Sequence, residues 1–366
     1  AMIAIDVSTG IVAFSIIFAI YQYLKHYSGP ARWADSRRSY FLQKAQENIR
    51  AAAFEKEHDR DWRPVILAMT RESKRLHQIM GFAAWVEGTS GITSAVRIIK
   101  GQGVKAALER KEATRQLSSD LLQIKSTAFP LVLSATDISE VLPTLVQSYG
   151  IGPFKANTLL VNWLDDLDKG LSGLGTVEYA RNLKSAFQQG LNVIILDTDL
   201  SKWDRLQAKN SSEHQYVDVW WRDDATGNFM LLVAYLITRS EIFKNSVIRM
   251  IAKGEEKDVT QITEHLQKHL EDIRIDAEPL VVQEIDQETI VQISSHSSMV
   301  FMPFRVKDYR FSDFSGGSLH RLLPQLPLTV LAKAAQDIDL EAEPDEGLLG
   351  DLAFASDALE SAQKAY

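Results

Sequence analysis

The stretch YVDVWWRDD, Tyr216 to Asp224, sets Asp218, Asp223 and Asp224 close to two tryptophans. Carboxylates so grouped could coordinate Mg²⁺ or act as a paired acid and base. Strand alternation opposes that chemistry. Asp218 and Trp220 fall on one face, Val219 and Trp221 on the other, and Asp223-Asp224 lie past the strand end, so the three need not converge. The stretch reads better as architecture, with Asp218 accepting hydrogen bonds at the sheet, the tryptophans packed under helices, and Asp223 or Asp224 capping the next helix.

Other candidate chemistry is thinner. His265 and His269 stand four apart on a helix, the spacing of a shared metal, but Leu266, Gln267 and Lys268 between them lack the glutamate of H-E-x-x-H, and a solvated face is the simpler reading. Gly101-Gln102-Gly103 follows a strand and opens a helix, the context of a phosphate turn, without the third glycine or a G-K-[ST]. Ser315-Gly316-Gly317-Ser318 has no nucleophile-elbow context. The 366 residues contain no cysteine, which excludes thiolate nucleophiles, disulfides and Cys-ligated zinc. A net charge of -8 argues against a nucleic-acid partner, which needs a concentrated basic face.

The elements that must position these residues alternate between short apolar runs and amphipathic helices. From Asp61 the runs are VILAM (65–69), AVRII (95–99), LVL (131–133), TLLVNW (158–163) and VIIL (193–196), a pattern that predicts a parallel sheet covered on both faces. The polar stretch Ser201 to Gln215 predicts a linker. The alternation then resumes with YVDVWW, VIRMIA (247–252), PLVV (279–282), MVFMPF (299–304) and LTVLA (328–332), giving a second lobe of similar plan. Within it NFMLLVAYLIT, 228–238, is apolar on every side and must be buried all round, either centrally or at a lobe or subunit interface; the interface is preferred because neighbouring helices stay amphipathic.

Ahead of the lobes, Val7 to Leu24 is free of charged side chains, at the lower limit for crossing a bilayer, and is followed by Lys25, His26, Arg32, Arg37 and Arg38. Basic residues on that side place it in the cytoplasm, with Tyr21, Tyr23 and Tyr27 as interfacial aromatics; a buried core helix is the alternative. After Gly29-Pro30, Ser36 to Glu57 carries Phe41, Leu42, Ala45, Ile49, Ala52 and Ala53 on one stripe and predicts a connecting helix. The expected organisation is residues 1–27 as a last membrane helix, 28–60 as the connecting amphipathic helix, 61–205 and 206–336 as the lobes, and 337–366 as a solvated acidic tail containing AQDIDLEAEPDEG. A start of this kind suggests a fragment of a longer protein.

Open α/β sheets bind ligands beyond the C-terminal strand ends where strand order reverses. In the first lobe those ends offer Thr70-Arg71 and Asn162-Trp163, and an arginine with an aromatic would suit the phosphate and adenine of a nucleotide.

Several segments, taken in order, resemble one family. YVDVWWRDDATGNFMLLVAYLITRSEIFKNSVIRMI (216–251) is similar to the I-D-V-W-W strand, turn, apolar helix and K-x-R-I/M-F/I of the C-terminal domain of cation–chloride cotransporters. DWRPVILAMT (61–70), VLPTLVQSYGIGPFKANTLLVNW (141–163) and IRIDAEPLVV (273–282) resemble its N-W-R-P-Q-x-L-V-L, I-Q-x-x-G-L-G-x-x-K-x-N-T-x-x-x-G-W and L-R-I-E-A-E-V-x-V-V, and Trp33 to Ser36 stands where the family has W-G-x-S. The resemblance leans toward the potassium–chloride branch. It implies two tandem α/β lobes with mostly parallel sheets, universal-stress-protein-like in plan, on a transporter moving chloride with potassium or sodium.

In that reading the chain is non-catalytic, homodimeric and regulatory, lies in the cytoplasm after about residue 28, and partners the transmembrane domain of its own polypeptide at the cell membrane. No metal or resident cofactor is expected, and ATP is the one regulatory ligand suggested. Two departures stand out. Asp286 to Ser298 is short where animal members carry a long loop, which points to a prokaryotic relative, and Ala225-Thr226-Gly227 replaces paired glycines. A nucleotide-binding module of another transporter and a soluble α/β enzyme are the alternatives.

Overall fold

The computed structural model describes residues 7–26, 36–56, 61–70, 73–136, 138–164, 173–208, 215–307, 309–336, 338 and 340. Residues 1–56 form one compact unit and residues from 57 onward another. The first holds helices α1, Val7–His26, and α2, Ser36–Phe54. The charge-free segment is thus helical, but among the described residues no helix is long and apolar enough to cross a membrane. The membrane span expected at 1–27 is therefore not shown. Ser8, Thr9, Gly10, Ser15 and Gln22 dilute the segment's apolar character, and Ser15 turns its hydroxyl back onto the Ile11 carbonyl.

The second unit is built on one sheet. Its first half supplies β1 (Val65–Met69), β2 (Ile92–Lys100), β3 (Phe129–Ala135), a small hairpin of β4 (Gly150–Ile151) and β5 (Phe154–Lys155), then β6 (Thr158–Asn162) and β7 (Asn192–Leu196). Helices α3 (Leu76–Glu87), α4 (Gly103–Gln123), α5 (Ile138–Ser148) and α6 (Gly173–Gln188) connect them, and α7 (Leu200–Ala208) leads to the second half. There β8 (Gln215–Trp220), α8 (Ala225–Thr238), β9 (Ser246–Lys253), α9 (Val259–Ile273), β10 (Ala277–Val282), α10 (Gln287–Ser294), β11 (Met299–Lys307), β12 (Arg310–Asp313), α11 (Leu319–Leu322) and β13 (Leu328–Lys333) follow.

Strand order reveals how the halves relate. The path is β10-β9-β8-β11-β13-β7-β6-β1-β2-β3, so each half runs outward from its first strand on one side and inward on the other, by the same plan. Neighbours pair in parallel within each half, whereas β7 and β13 pair antiparallel, Leu196 opposite Val330 and Val193 opposite Lys333. The lobes predicted from the sequence are therefore fused edge to edge in one sheet, and the boundary expected at 205/206 falls inside α7. Central strands are apolar on both faces because helices cover both. Ile66, Leu160 and Ile194 join α3, α7, α8 and α9 on one side; Leu67, Leu159 and Ile195 join α5, α6, α10 and α11 on the other.

The expected linker at 201–215 is a correction. Its first part is α7, whose Trp203 and Leu206 are buried, and Asp199 caps it by accepting from the backbone amides of Ser201 (2.8 Å) and Lys202 (3.2 Å). Trp203 stacks on Trp85 of α3 at 4.9 Å, and Trp85 meets Phe243 of the second half edge-on at 5.3 Å. Gly81 is required beneath this stack, since a Cβ there would lie 2.9 Å from the Trp203 ring.

Candidate functional site

The three aspartates of the opening stretch separate as alternation predicts. Asp218 is fully buried and accepts from Arg249 Nε and Nη2 at 2.8 and 2.9 Å and from Ser297 Oγ at 2.6 Å. Arg249 also donates to the Ile293 carbonyl and lies 4.3 Å from the Tyr216 ring centroid, so the pair ties β8, β9 and the end of α10 together. Asp224 caps α8 by accepting from the Gly227 amide at 2.9 Å. Trp220 donates to Ser294 Oγ at 3.1 Å. These are packing roles.

The remaining motifs resolve similarly. His269 lies against Trp221 while His265 is exposed, and among the described residues no group of three His, Cys, Asp or Glu could hold a metal. The Ser315 to Ser318 turn is organised by buried Asp313, which accepts from the Ser315 and Gly317 amides at 2.8 and 2.9 Å. Gly103, at φ +79°, lets the chain turn from β2 into α4.

One cavity, of about 690 Å³, occupies the place that strand order singles out. In the first half β1 lies between β2 and β6, and successive connections leave it in opposite directions, so a crevice opens beyond the C-terminal ends of these strands. Met69 of β1 and Thr70 just after it, Ile98 from β2, and Val161 and Asn162 from β6 line it, closed on one side by Glu178, Tyr179 and Asn182 of α6. Its volume is in the range of small-molecule sites, and its wall is mainly apolar with a few polar groups. Arg97 reaches it from β2 and is held by Asp120 at 3.2 Å. At the matching end of β8, Trp220 and Phe314 pack together, with ring centroids 6.2 Å apart.

Of the four residues named for a nucleotide, Thr70 and Asn162 line the cavity, Arg71 lies outside the described residues, and Trp163 does not line it. The Trp163 ring packs edge-on against Phe311 at 5.6 Å, so its aromatic face is committed to the core rather than to a base. Asn162 is also partly committed, donating to the Trp163 carbonyl while its own carbonyl accepts from Tyr179. Sequence reasoning missed Arg97 and the α6 wall. The spacing of Glu178 and Asn182, one helical turn apart, was the available signal.

The chain matches the model of solute carrier family 12 over residues 198–315. It is 22% identical over 312 residues to potassium/chloride cotransporter 3 of Caenorhabditis elegans, covering 82% of this chain and 28% of that protein. Identity to cation-chloride cotransporter 1 of Arabidopsis thaliana is 24% over 301 residues, covering 77% of this chain and 29% of the relative. The chain is similar to the cation–chloride cotransporters.

The segment that matches the family model begins before α7 and runs through the Asp218–Arg249 pair to the turn after β12. The fold of the chain is similar to that of the cytoplasmic domain of a prokaryotic cation chloride cotransporter, at TM-score 0.51 and 13% identity, covering 76% of this chain and 98% of that one. A universal stress protein from Archaeoglobus fulgidus aligns at TM-score 0.47, below the level from which a shared fold follows. The chain spans under a third of the length of the two cotransporters it matches.

Proposed function

We propose that this chain is the cytoplasmic, non-catalytic regulatory domain of a secondary active symporter moving chloride with potassium or sodium across the cell membrane. The observation that carries the proposal is the coincidence of the family match with the fold. The segment 198–315 supplies the strand, cap and buried helix on which the second half is built, and the whole unit follows the plan of a cotransporter cytoplasmic domain. The ion-binding residues would lie in a membrane sector of the same polypeptide. The potassium–chloride branch is favoured by the Caenorhabditis elegans relative.

The domain is proposed to act as a homodimer. Both free edges of the sheet carry a proline, Pro130 in β3 and Pro279 in β10, which discourages strand-to-strand pairing, so two copies would meet through helical faces. Leu232 and Leu236 of α8, the positions the sequence offers for such contact, are half-buried beside Ile338 and Leu340 of the same chain, so α8 serves the fold of one chain first. Sedimentation equilibrium should give the mass of two chains, and a monomer at high concentration contradicts the dimer.

The cavity supports a second element, in which the first half senses a small ligand such as a nucleotide. Its position at the strand-order reversal favours this reading. Calorimetric titration with ATP, with and without Mg²⁺, should give heat that is reduced in T70V and N182A variants; no heat under either condition contradicts it.

A further inference from the structure

A second opening, of about 500 Å³, lies at the other end of β1 from the cavity, between the segment entering that strand and the C-terminal ends of α8 and α9. Three arginines from three separate elements line it: Arg63 just before β1, Arg239 at the C-cap of α8 and Arg274 at the C-cap of α9. None of its lining residues is acidic, although the chain has 48 acidic residues against 40 basic ones. Arg239 and Arg274 are exposed and form no ion pair with a carboxylate among the described residues, even though Asp272 and Asp276 flank Arg274 in sequence.

A helix C-terminus favours a cation, which would account for each of these two arginines separately. Here, however, two of the last carbonyls in each helix are already taken. In α8 those of Leu236 and Ile237 accept from the Arg239 and Ser240 amides at 3.3 and 2.9 Å; in α9 those of Leu270 and Glu271 accept from the Ile275 and Arg274 amides at 3.1 and 3.2 Å. Arg274 also holds the left-handed region, at φ 57°, where glycine or asparagine is the ordinary choice. Capping does not explain why three like charges meet at one opening.

The rim around Arg63 is held in place by the fold. Its carbonyl accepts from Asn157 Nδ2 at 2.6 Å, its guanidinium donates to the Trp62 carbonyl at 3.1 Å, and the Trp62 ring meets Phe229 of α8 edge-on at 6.2 Å. Thr89 and Ser90 add hydroxyls to the lining, while Leu232, Leu236 and Ile273 give it an apolar wall. Three guanidinium groups against two helix C-termini of about half a negative charge each leave the opening with about two positive charges.

We propose that this cleft binds a small phosphate monoester, with the phosphate on Arg239 and Arg274, Arg63 at the rim, and the apolar part of the ester against Leu232, Leu236 and Ile273. A phosphate monoester carries about −1.5 to −2 at neutral pH on three strong acceptor oxygens, which matches the charge of the opening and accepts arginine forks from several directions. A carboxylate offers one charge in one plane and matches it less well. The volume is within the range of small-ligand sites. Being exposed, the contact is screened by salt. A free ester and a lipid headgroup share this chemistry, and the test separates them. The inference does not depend on the transport reading.

The test is calorimetric titration of the full chain with phenyl phosphate at low salt. Heat is expected, with affinity falling about ten-fold or more in R239Q/R274Q and staying unchanged in R310Q/R321Q, which removes the same charge elsewhere. All four arginines are exposed, so equal melting temperatures should report an intact fold. The same chain is sedimented with phosphatidylcholine vesicles with and without phosphatidic acid. Phosphatidic-acid-dependent binding that R239Q/R274Q abolishes, without heat from phenyl phosphate, supports the site and assigns the phosphate to a lipid. Neither heat nor vesicle binding overturns the proposal, as does an equal loss in both double variants. Heat lost in T70V or N182A but kept in R239Q/R274Q also overturns it, because the ester then occupies the cavity at the opposite end of β1.

Discussion

Asp218 illustrates how one side chain can look reactive in a sequence and prove structural. Fully buried, it is engaged by two guanidinium donors and a hydroxyl, three of the about four hydrogen bonds that a carboxylate can accept. Asp218→Ala would strand Arg249 among β9 and α10 and should cost about 3 kcal/mol or more, read as a lowered urea midpoint with unchanged slope. Asp199 has the opposite exposure and a smaller role. The Ser201 hydroxyl first, then the backbone amides at the start of α7, hold its carboxyl below the usual carboxylate range. A depressed carboxyl contributes stability that is present above about pH 4 and is lost as pH falls through its folded value. Asp199→Ala should cost about 1 kcal/mol at neutral pH and flatten the acid limb of the stability curve below pH 4, measured by thermal unfolding across pH. The seam also contains Asp197, whose carboxyl burial pushes up while its Lys202 partner pulls it back.

Elements were legible where their pattern was strong. VILAM coincides with β1, and the all-apolar run with α8, whose Phe229, Met230, Leu231, Val233 and Ile237 are buried between the sheet and α3. The reading of α8 as a lobe interface fits its packing, because it touches α3 of the first half as well as strands of the second. Among the elements that escaped are α7 and β12. Helix α7 buries only Trp203 and Leu206 among its described side chains of apolar type, too few for a stripe, and its burial is decided by Trp85 far away in sequence. Strand β12, RFSD, has one apolar side chain and exists because it folds back on β11. At the entry to α8, Gly227 sits so close to the Arg222 carbonyl that any Cβ would overlap it. Gly227→Ala should therefore destabilise by more than about 2 kcal/mol, by displacing the first turn of α8, with calorimetric melting as the check.

At the scale of the molecule, the repeat of plan was readable from the alternation of strands and helices, but the junction was not. VIIL and LTVLA look like any buried parallel strand, and nothing local says that β7 meets β13 antiparallel. The cavity shows the same division: Thr70 and Asn162 follow from the strand-end rule, whereas the orientation of Trp163 is set by Phe311 on an arm contributed by the other half. Because the halves share one sheet and the Trp85–Trp203–Phe243 stack, they should unfold together. Trp203→Ala, which removes a buried side chain and a stacking partner, should lower stability by about 3 to 5 kcal/mol in a single transition, and two resolved transitions would contradict a fused unit.

The most direct test of the central claim is chloride-dependent uptake of labelled rubidium, a potassium surrogate, into cells producing the transporter proposed to carry this domain. Uptake that requires external chloride, and that falls when this domain is removed while the protein still reaches the membrane, is the expected result. Uptake indifferent to chloride, or unchanged by loss of the domain, would contradict it.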